Sequence, residues 1–306
     1  MRILVTGGAG YIGSHLAGAL RRAGHAVRVL DLVSPIGGGP PDQDREFVRG
    51  SLANPRLIAQ VLQDVHIVYH LAWSFRAWRF YPEFRPGEEW REVQENLSGT
   101  LNMLEAALTA GVRHFLFSSS AVVYGPTGST RADEGHSCHP ERSTLGGPVY
   151  GITKLACEKL CLVYQRRGLP MTVFRLHGVF SPGRLGQFAP MIEQALVGQP
   201  VRVTRGAGGE YVHMDDVLRA FLLAAEDLRA HGETFNLAGT HTYRDPDLAR
   251  CIVETAGSES QIDLVEDPTQ AMVSVSVDKL RRRLGYEPEC GEFLPGLIRR
   301  ALKGRN

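Results

Sequence analysis

The sequence predicts an α/β fold, a doubly wound parallel sheet followed by a smaller α+β domain, on three observations. Short runs rich in β-branched residues alternate with longer amphipathic stretches through the first half, as parallel strands alternate with the helices that cover them. A glycine-rich turn joins the first of these runs to the first amphipathic stretch. After Arg175 the alternation weakens, and Pro182-Gly183 and Gly206-Ala207-Gly208-Gly209 mark turns between less regular segments. These features divide the chain into residues 1–176, holding the sheet, and 177–306, the smaller domain, with 215–239 expected to pack back on the sheet.

Taken in order, strands are expected at Arg2 to Val5, Ala26 to Leu30, Ile67 to Leu71, His114 to Ser118 and Met171 to Arg175. Helices fit the apolar period at Ser14 to Ala23, Asn96 to Ala110 and Tyr150 to Arg167, and again at Phe188 to Leu196 and Asp215 to Glu226. A formal net charge of +1 gives no electrostatic reason to expect nucleic acid or a membrane surface as partner. Met1-Arg2 runs straight into the strand-like Ile3-Leu4-Val5 without a basic-then-apolar leader. No apolar run reaches membrane-spanning length, so the expected location is cytoplasmic. The five cysteines, Cys138, Cys157, Cys161, Cys251 and Cys290, form no Cys-x-x-Cys and no zinc-like pattern. They read as reduced thiols, and no metal site is expected.

Directly after the first strand, Thr6-Gly-Gly-Ala-Gly-Tyr-Ile-Gly-Ser14 places glycines at Gly7, Gly8, Gly10 and Gly13, ahead of a helix expected to run from Ser14. A dinucleotide pyrophosphate needs backbone without Cβ interference and a helix N-terminus whose free N–H groups face the anion, and this order supplies both. The second strand closes on Asp31, a carboxylate able to accept both ribose hydroxyls of an adenosine. It repels a 2′-phosphate, and Leu32-Val33-Ser34 offers no cation to receive one, so the cofactor read from these residues is NAD.

Tyr150 and Lys154 stand four apart at the start of a helix, hence on one face. An ammonium beside a phenol favours the phenolate, which turns a group with a reference pKa near ~10 into a base nearer neutral pH.

The residues resemble the extended short-chain dehydrogenase/reductase family, in its NAD-dependent nucleotide-sugar epimerase and dehydratase branch. The resemblance rests on Thr6 to Ser14, His70-Leu-Ala72, Asn96-Leu-Ser-Gly-Thr100, Ser118-Ser-Ser-Ala-Val-Val-Tyr-Gly125, Tyr150 to Lys154, Val212-His-Met-Asp-Asp-Val217 and Phe235-Asn-Leu-Ala-Gly239. It implies a Rossmann domain with a C-terminal substrate domain, Tyr150 as acid/base, Lys154 as its activator and Ser120 as hydrogen-bond partner of the reacting hydroxyl. It also implies cofactor contacts from Gly7, Gly10, Tyr11, Ile12, Gly13, Asp31, Ser51, Leu52, Leu71, Ala72, Ser118, Tyr150, Lys154 and His177. Its members pair the helices matching Asn96 to Ala110 and Tyr150 to Arg167 into a four-helix bundle, so a homodimer is expected.

Several positions depart from the family pattern. Ser51 replaces an Asp that contacts adenine, and Ala121 and Val122 stand where dehydratases carry Asp and Glu, which argues against water elimination. Gly178 replaces the Asn that holds the nucleotide sugar, and Gly209 the Arg that holds its pyrophosphate; Arg184 or Arg205 is the nearest substitute. The segment from Trp73 to Trp90 holds all three tryptophans and follows a strand end, which makes Trp78, with Ser120 and Arg184, a candidate substrate contact. The function expected is an NAD-dependent sugar epimerase acting on a nucleotide sugar through a transient keto intermediate. The alternative is net oxidation or reduction of a non-nucleotide sugar or alcohol.

Overall fold

The structure, a computed structural model, describes residues 1–33, 46–75, 88–128, 130–143, 147–181, 188–266 and 272–289, with 296 and 299. In chain order the first elements are β1 (Arg2–Thr6), α1 (Tyr11–Arg22), β2 (Ala26–Asp31), β3 (Glu46–Arg49), α2 (Pro55–Val61), β4 (Ile67–His70), α3 (Glu88–Thr109), β5 (His114–Ser120), α4 (Pro148–Arg166) and β6 (Met171–Leu176). Then follow β7 (Val179–Phe180), α5 (Ala189–Leu196), β8 (Val201–Thr204), β9 (Gly208–Gly209), β10 (Val212–His213) and α6 (Met214–Glu226). The last are β11 (Glu233–Leu237), β12 (Tyr243–Arg244), α7 (Asp245–Ala256), β13 (Ile262–Val265) and α8 (Asp278–Leu284). The chain packs as two compact units: Met1–Ser119 with Val149–Phe174 and Phe221–Thr234, and Ser120–Pro148 with Arg175–Ala220 and Phe235–Asn306.

The large sheet has the order β11-β6-β5-β4-β1-β2-β3. The chain builds outward from β1 to β2 and β3, then returns to place β4 on the other side of β1. That reversal is the topological switch of a doubly wound fold, and it opens a crevice at the carboxyl ends of β1 and β4. The pairing is parallel, with Thr6 opposite both Leu30 and His70, and His70 opposite Phe117. β5 therefore runs three residues, Ser118 to Ser120, past its partner.

Leu4, Leu30, Val68, Phe115 and Phe117 form one core with Ile58 of α2, Met103 and Leu104 of α3, and Cys157 and Cys161 of α4. Side chains alternate along a strand, so Tyr69 points to the opposite face, where its hydroxyl donates to the Phe221 carbonyl of α6 at 3.0 Å. In the second unit, α5 and α7 bury Ile192, Leu248 and Ile252 against the parallel pair β8–β13. A buried polar chain also runs through it: Arg175 Nη1 donates to the Tyr124 hydroxyl (2.8 Å), which donates to Asn236 Oδ1 (2.7 Å). Asn236 Nδ2 then donates to the Ala132 carbonyl at 2.9 Å.

Two helices begin three or more residues before the start that the sequence pattern indicates. α1 starts at Tyr11, because Gly10 in extended conformation already serves as its N-cap. α3 starts at Glu88, so Trp90 lies on a helix and is 68% exposed. Its first two turns are largely polar and carry no apolar stripe from which a period can be read. β3 and α2 had not been foreseen, although Asn54 before Pro55 is a legible helix start: its side chain accepts from Leu57 N at 3.2 Å.

Candidate active site

The glycine turn is built by close backbone contact. Gly7 has φ +70, and a Cβ there would come 2.6 Å from Ala72 N. At Gly13 a Cβ would lie 2.2 Å from the Gly7 carbonyl oxygen. The first position lets the turn meet the end of β4 at the switch point, and the second lets α1 approach its own loop. Gly10 provides no side-chain cap, so the first-turn N–H groups of α1 face the loop without a side-chain acceptor. Asp31 accepts from Ala9 N (2.9 Å) through one oxygen and from Val33 N (3.2 Å) through the other, fixing the carboxylate beside the loop. A glycine-rich turn, a helix start whose N-cap Gly10 makes no side-chain bond and an adjacent carboxylate fit a dinucleotide. Ser51 accepts from Ala53 N at 3.1 Å, while the Leu52 carbonyl accepts from Asn102 Nδ2 at 2.8 Å.

Tyr150 and Lys154 lie in the first turns of α4, and the structure brings them to the end of β5. Lys154 is 4% exposed, and its Nζ donates to the Ser118 carbonyl at 2.7 Å. Burial lowers its pKa to about 7, against the opposing pull of Cys157, Glu158, Cys161 and Glu92. His70 bridges Thr6 Oγ1 (2.8 Å) and Thr100 Oγ1 (3.1 Å), and burial, helped by the Lys154 charge, lowers it to about 3. It is a neutral strut at working pH. Ser120 ends β5, where its hydroxyl accepts from Val122 N at 3.3 Å and caps a short 3-10 turn over Ala121–Tyr124.

Three further side chains, Glu158, Trp73 and Phe75, gather around this pair. Glu158 extends the Tyr150–Lys154 stripe by another four residues, and its buried carboxylate accepts from Ser119 Oγ at 2.5 Å. That position was legible, since the same spacing leads to it. Trp73 and Phe75 surround Tyr150: the Trp73 ring meets it edge-on at 5.8 Å, and Phe75 stacks on it at 5.9 Å. The aromatic segment that follows the end of β4 points, as sequence, to a ligand rather than to this packing on Tyr150.

The second unit holds His177, Gly178 and Gly209. A Cβ at Gly178, whose φ is +52, would come 2.2 Å from Tyr211 Cδ1, and a Cβ at Gly209 would come 2.1 Å from His177 Cε1. His177 and Tyr211 stack at 11° with centroids 5.6 Å apart, filling the space next to both glycines. His177 Nδ1 pairs with the Glu210 carbonyl at 3.0 Å, and burial lowers the ring's pKa. The Tyr211 hydroxyl donates to Asp245 at 2.5 Å. Arg205 pairs with Glu266. Trp78 and Arg184 lie outside the described residues. Among the described residues no cluster suited to a metal occurs, and no helix is long and apolar enough to cross a membrane.

The sequence model of the NAD dependent epimerase/dehydratase family matches residues 3–238. UDP-glucose 4-epimerase of Azospirillum brasilense is 29% identical over 332 aligned positions, covering 98% of this chain and 91% of that protein. The solved structure of UDP-glucose 4-epimerase with UDP-glucose from Thermotoga maritima is similar with a TM-score of 0.81 at 28% identity, covering 99% and 98% of the two chains. That of UDP-glucuronic acid 4-epimerase from Bacillus cereus, in complex with UDP-glucuronic acid and NAD, gives 0.81 at 26% identity and covers 100% of both.

Proposed function

This chain belongs to the NAD dependent epimerase/dehydratase family, and we propose that it epimerises a hydroxyl-bearing carbon of a nucleotide sugar. The observation that carries the reading is Lys154, held at the carboxyl end of β5 through the Ser118 carbonyl, one helical turn from Tyr150 and in the same unit as the glycine cradle. The proposed NAD contacts are the backbone of Gly7, Gly10, Tyr11, Ile12 and Gly13 for the pyrophosphate, Asp31 for the adenosine ribose, and Ser51 for the adenine. When bound there, NAD would supply the hydride acceptor and donor that a reversible oxidation of the substrate carbon to a ketone needs.

The protein's part is proton transfer and electrostatics. Tyr150 takes the hydroxyl proton as the carbon is oxidised and gives it back on reduction. Lys154 supplies the positive charge that stabilises the phenolate between these steps, and Ser120 is proposed to hydrogen-bond the reacting oxygen. Residues 177–306 are proposed to be mainly substrate-binding. A homodimer through α3 and α4 is supported by the exposed Ile152, Leu162 and Val163 on α4. Sedimentation as a monomer at micromolar concentration would refute it.

The deciding experiment incubates the protein with NAD and UDP-glucose or UDP-glucuronic acid, following product stereochemistry and reduced-nicotinamide absorbance together. Inverted sugar without lasting absorbance supports epimerisation. The rings of His177 and Tyr211 beside Gly178 and Gly209 favour a second reading, net oxidation or reduction of a non-nucleotide sugar. Lasting absorbance with free sugars alone would select it.

A further inference from the structure

The loop leaving β4 carries an aromatic residue to which the reaction as described gives no part. The ring of Trp73 lies with its face 3.6 Å from Lys154 Nζ, measured to the ring centroid, and at 83° to the ring of Tyr150, with centroids 5.8 Å apart. One indole thus touches both members of the acid/base pair. Phe117 lies farther from the same ammonium, at 5.2 Å, and the Tyr150 ring at 5.9 Å.

We propose that Trp73 is a positioning residue, whose ring face keeps the buried Lys154 side chain an ammonium and whose perpendicular packing sets the ring of Tyr150. The inference rests on the reading of Tyr150 and Lys154 as acid/base and activator. An ammonium taken out of water loses hydration, and an aromatic face returns part of that stabilisation through its quadrupole. The need is real at this position, because burial brings Lys154 down to about 7, where its charge is poised. The other groups acting on it are Cys157, Glu158 and Cys161 of its own helix, Glu92 of α3, His70 of β4 and the Ser118 carbonyl of β5.

Packing alone accounts poorly for the choice of tryptophan. Trp73 Nε1 is buried and has no hydrogen-bond partner among the described residues. An unpaired buried N–H is unfavourable, so an apolar ring or a leucine would serve a purely space-filling role better. What an indole offers over leucine is its π face, and over phenylalanine a larger one.

The test measures the titration of Lys154 directly, without needing a substrate. Lysine labelled with carbon-13 at Cε is followed by NMR against pH in the full-length protein, with the Lys154 signal assigned by its loss in Lys154→Met. Trp73→Leu keeps the site apolar but removes the π face, and should lower the Lys154 midpoint by about one pH unit. Trp73→Phe should restore at least half of that shift. An unchanged or raised midpoint in Trp73→Leu overturns the inference, and Trp73→Met, also apolar and without a π face, decides in its place if the leucine variant does not fold. Tyr150→Phe tests the underlying reading separately: undiminished epimerisation in that variant removes the acid/base assignment, whatever the Trp73 variants do to the Lys154 midpoint.

Discussion

Two pairs of glycines, Gly7 with Gly13 in the first unit and Gly178 with Gly209 in the second, meet different kinds of neighbour. In the first, Gly7 and Gly13 are glycines because backbone lies where a Cβ would be: Ala72 N at 2.6 Å in one case, the Gly7 carbonyl oxygen at 2.2 Å in the other. In the second, the nearest atom to a Cβ belongs to a ring, Tyr211 at 2.2 Å for Gly178 and His177 at 2.1 Å for Gly209, although Gly209 also faces the Val273 carbonyl oxygen at 2.7 Å. A backbone-limited glycine marks a place where chain must approach chain, and at the switch point of the sheet it leaves a concave surface for a ligand. A glycine faced by a ring marks a place where that ring occupies the room a side chain would need. The glycine turn of the first unit is thus shaped by backbone on backbone, while in the second unit the stacked rings of His177 and Tyr211 fill the room beside Gly178 and Gly209.

The largest effect expected from this contrast is on acid stability. Burial lowers both His70 and His114 of the first unit to about 3. Between that value and the unfolded pKa near 6.5 the native state binds fewer protons than the unfolded chain, so stability rises with pH in that window and is lost as pH falls through it. Each histidine accounts for up to about 5 kcal/mol at the low end. Amide exchange at pH 5 should therefore show β4 and β5 losing protection before α7; the reverse order would break the comparison.

Gly13→Ala comes next, with NAD binding reduced about a hundredfold or more, since no flexible side chain can yield to the new Cβ. Retained binding in a calorimetric titration would mean that the loop adapts. Gly178→Asn should instead leave NAD affinity within about twofold and cost roughly 1–3 kcal/mol of stability through the clash with Tyr211. Adding Tyr211→Ala should relieve the clash, and a double variant no more stable than Gly178→Asn would put the strain elsewhere. Asp31→Ala should weaken NAD by roughly tenfold and narrow the preference over NADP, because ribose hydrogen bonds and anionic repulsion disappear together. The smallest change belongs to Trp90→Ala. Its side chain is 68% exposed, so the melting free energy should move by less than about 0.5 kcal/mol; a large loss would assign Trp90 to an interface of the kind proposed for α3 and α4.

The sequence by itself determined the parts whose physics is local. Thr6 to Ser14 is a glycine turn between strand and helix whatever the rest of the chain does, and Asp31 follows as the end of the next strand. Tyr150 and Lys154 share a face because an α-helix repeats every 3.6 residues, and the same rule extended to Glu158. Only the tertiary structure decided that β11, from a distant part of the chain, borders β6 in the large sheet. It also set the Trp73 ring over Lys154 and turned Trp90, by the early start of α3, into an exposed helical residue. Likewise, Gly178 and Gly209 could be read only as missing side chains; that His177 and Tyr211 fill their places depends on two segments meeting that no local period or turn rule relates. Local spacing fixes which side chains share an element, whereas the contacts that tune and fill a site are made between elements, and packing chooses those.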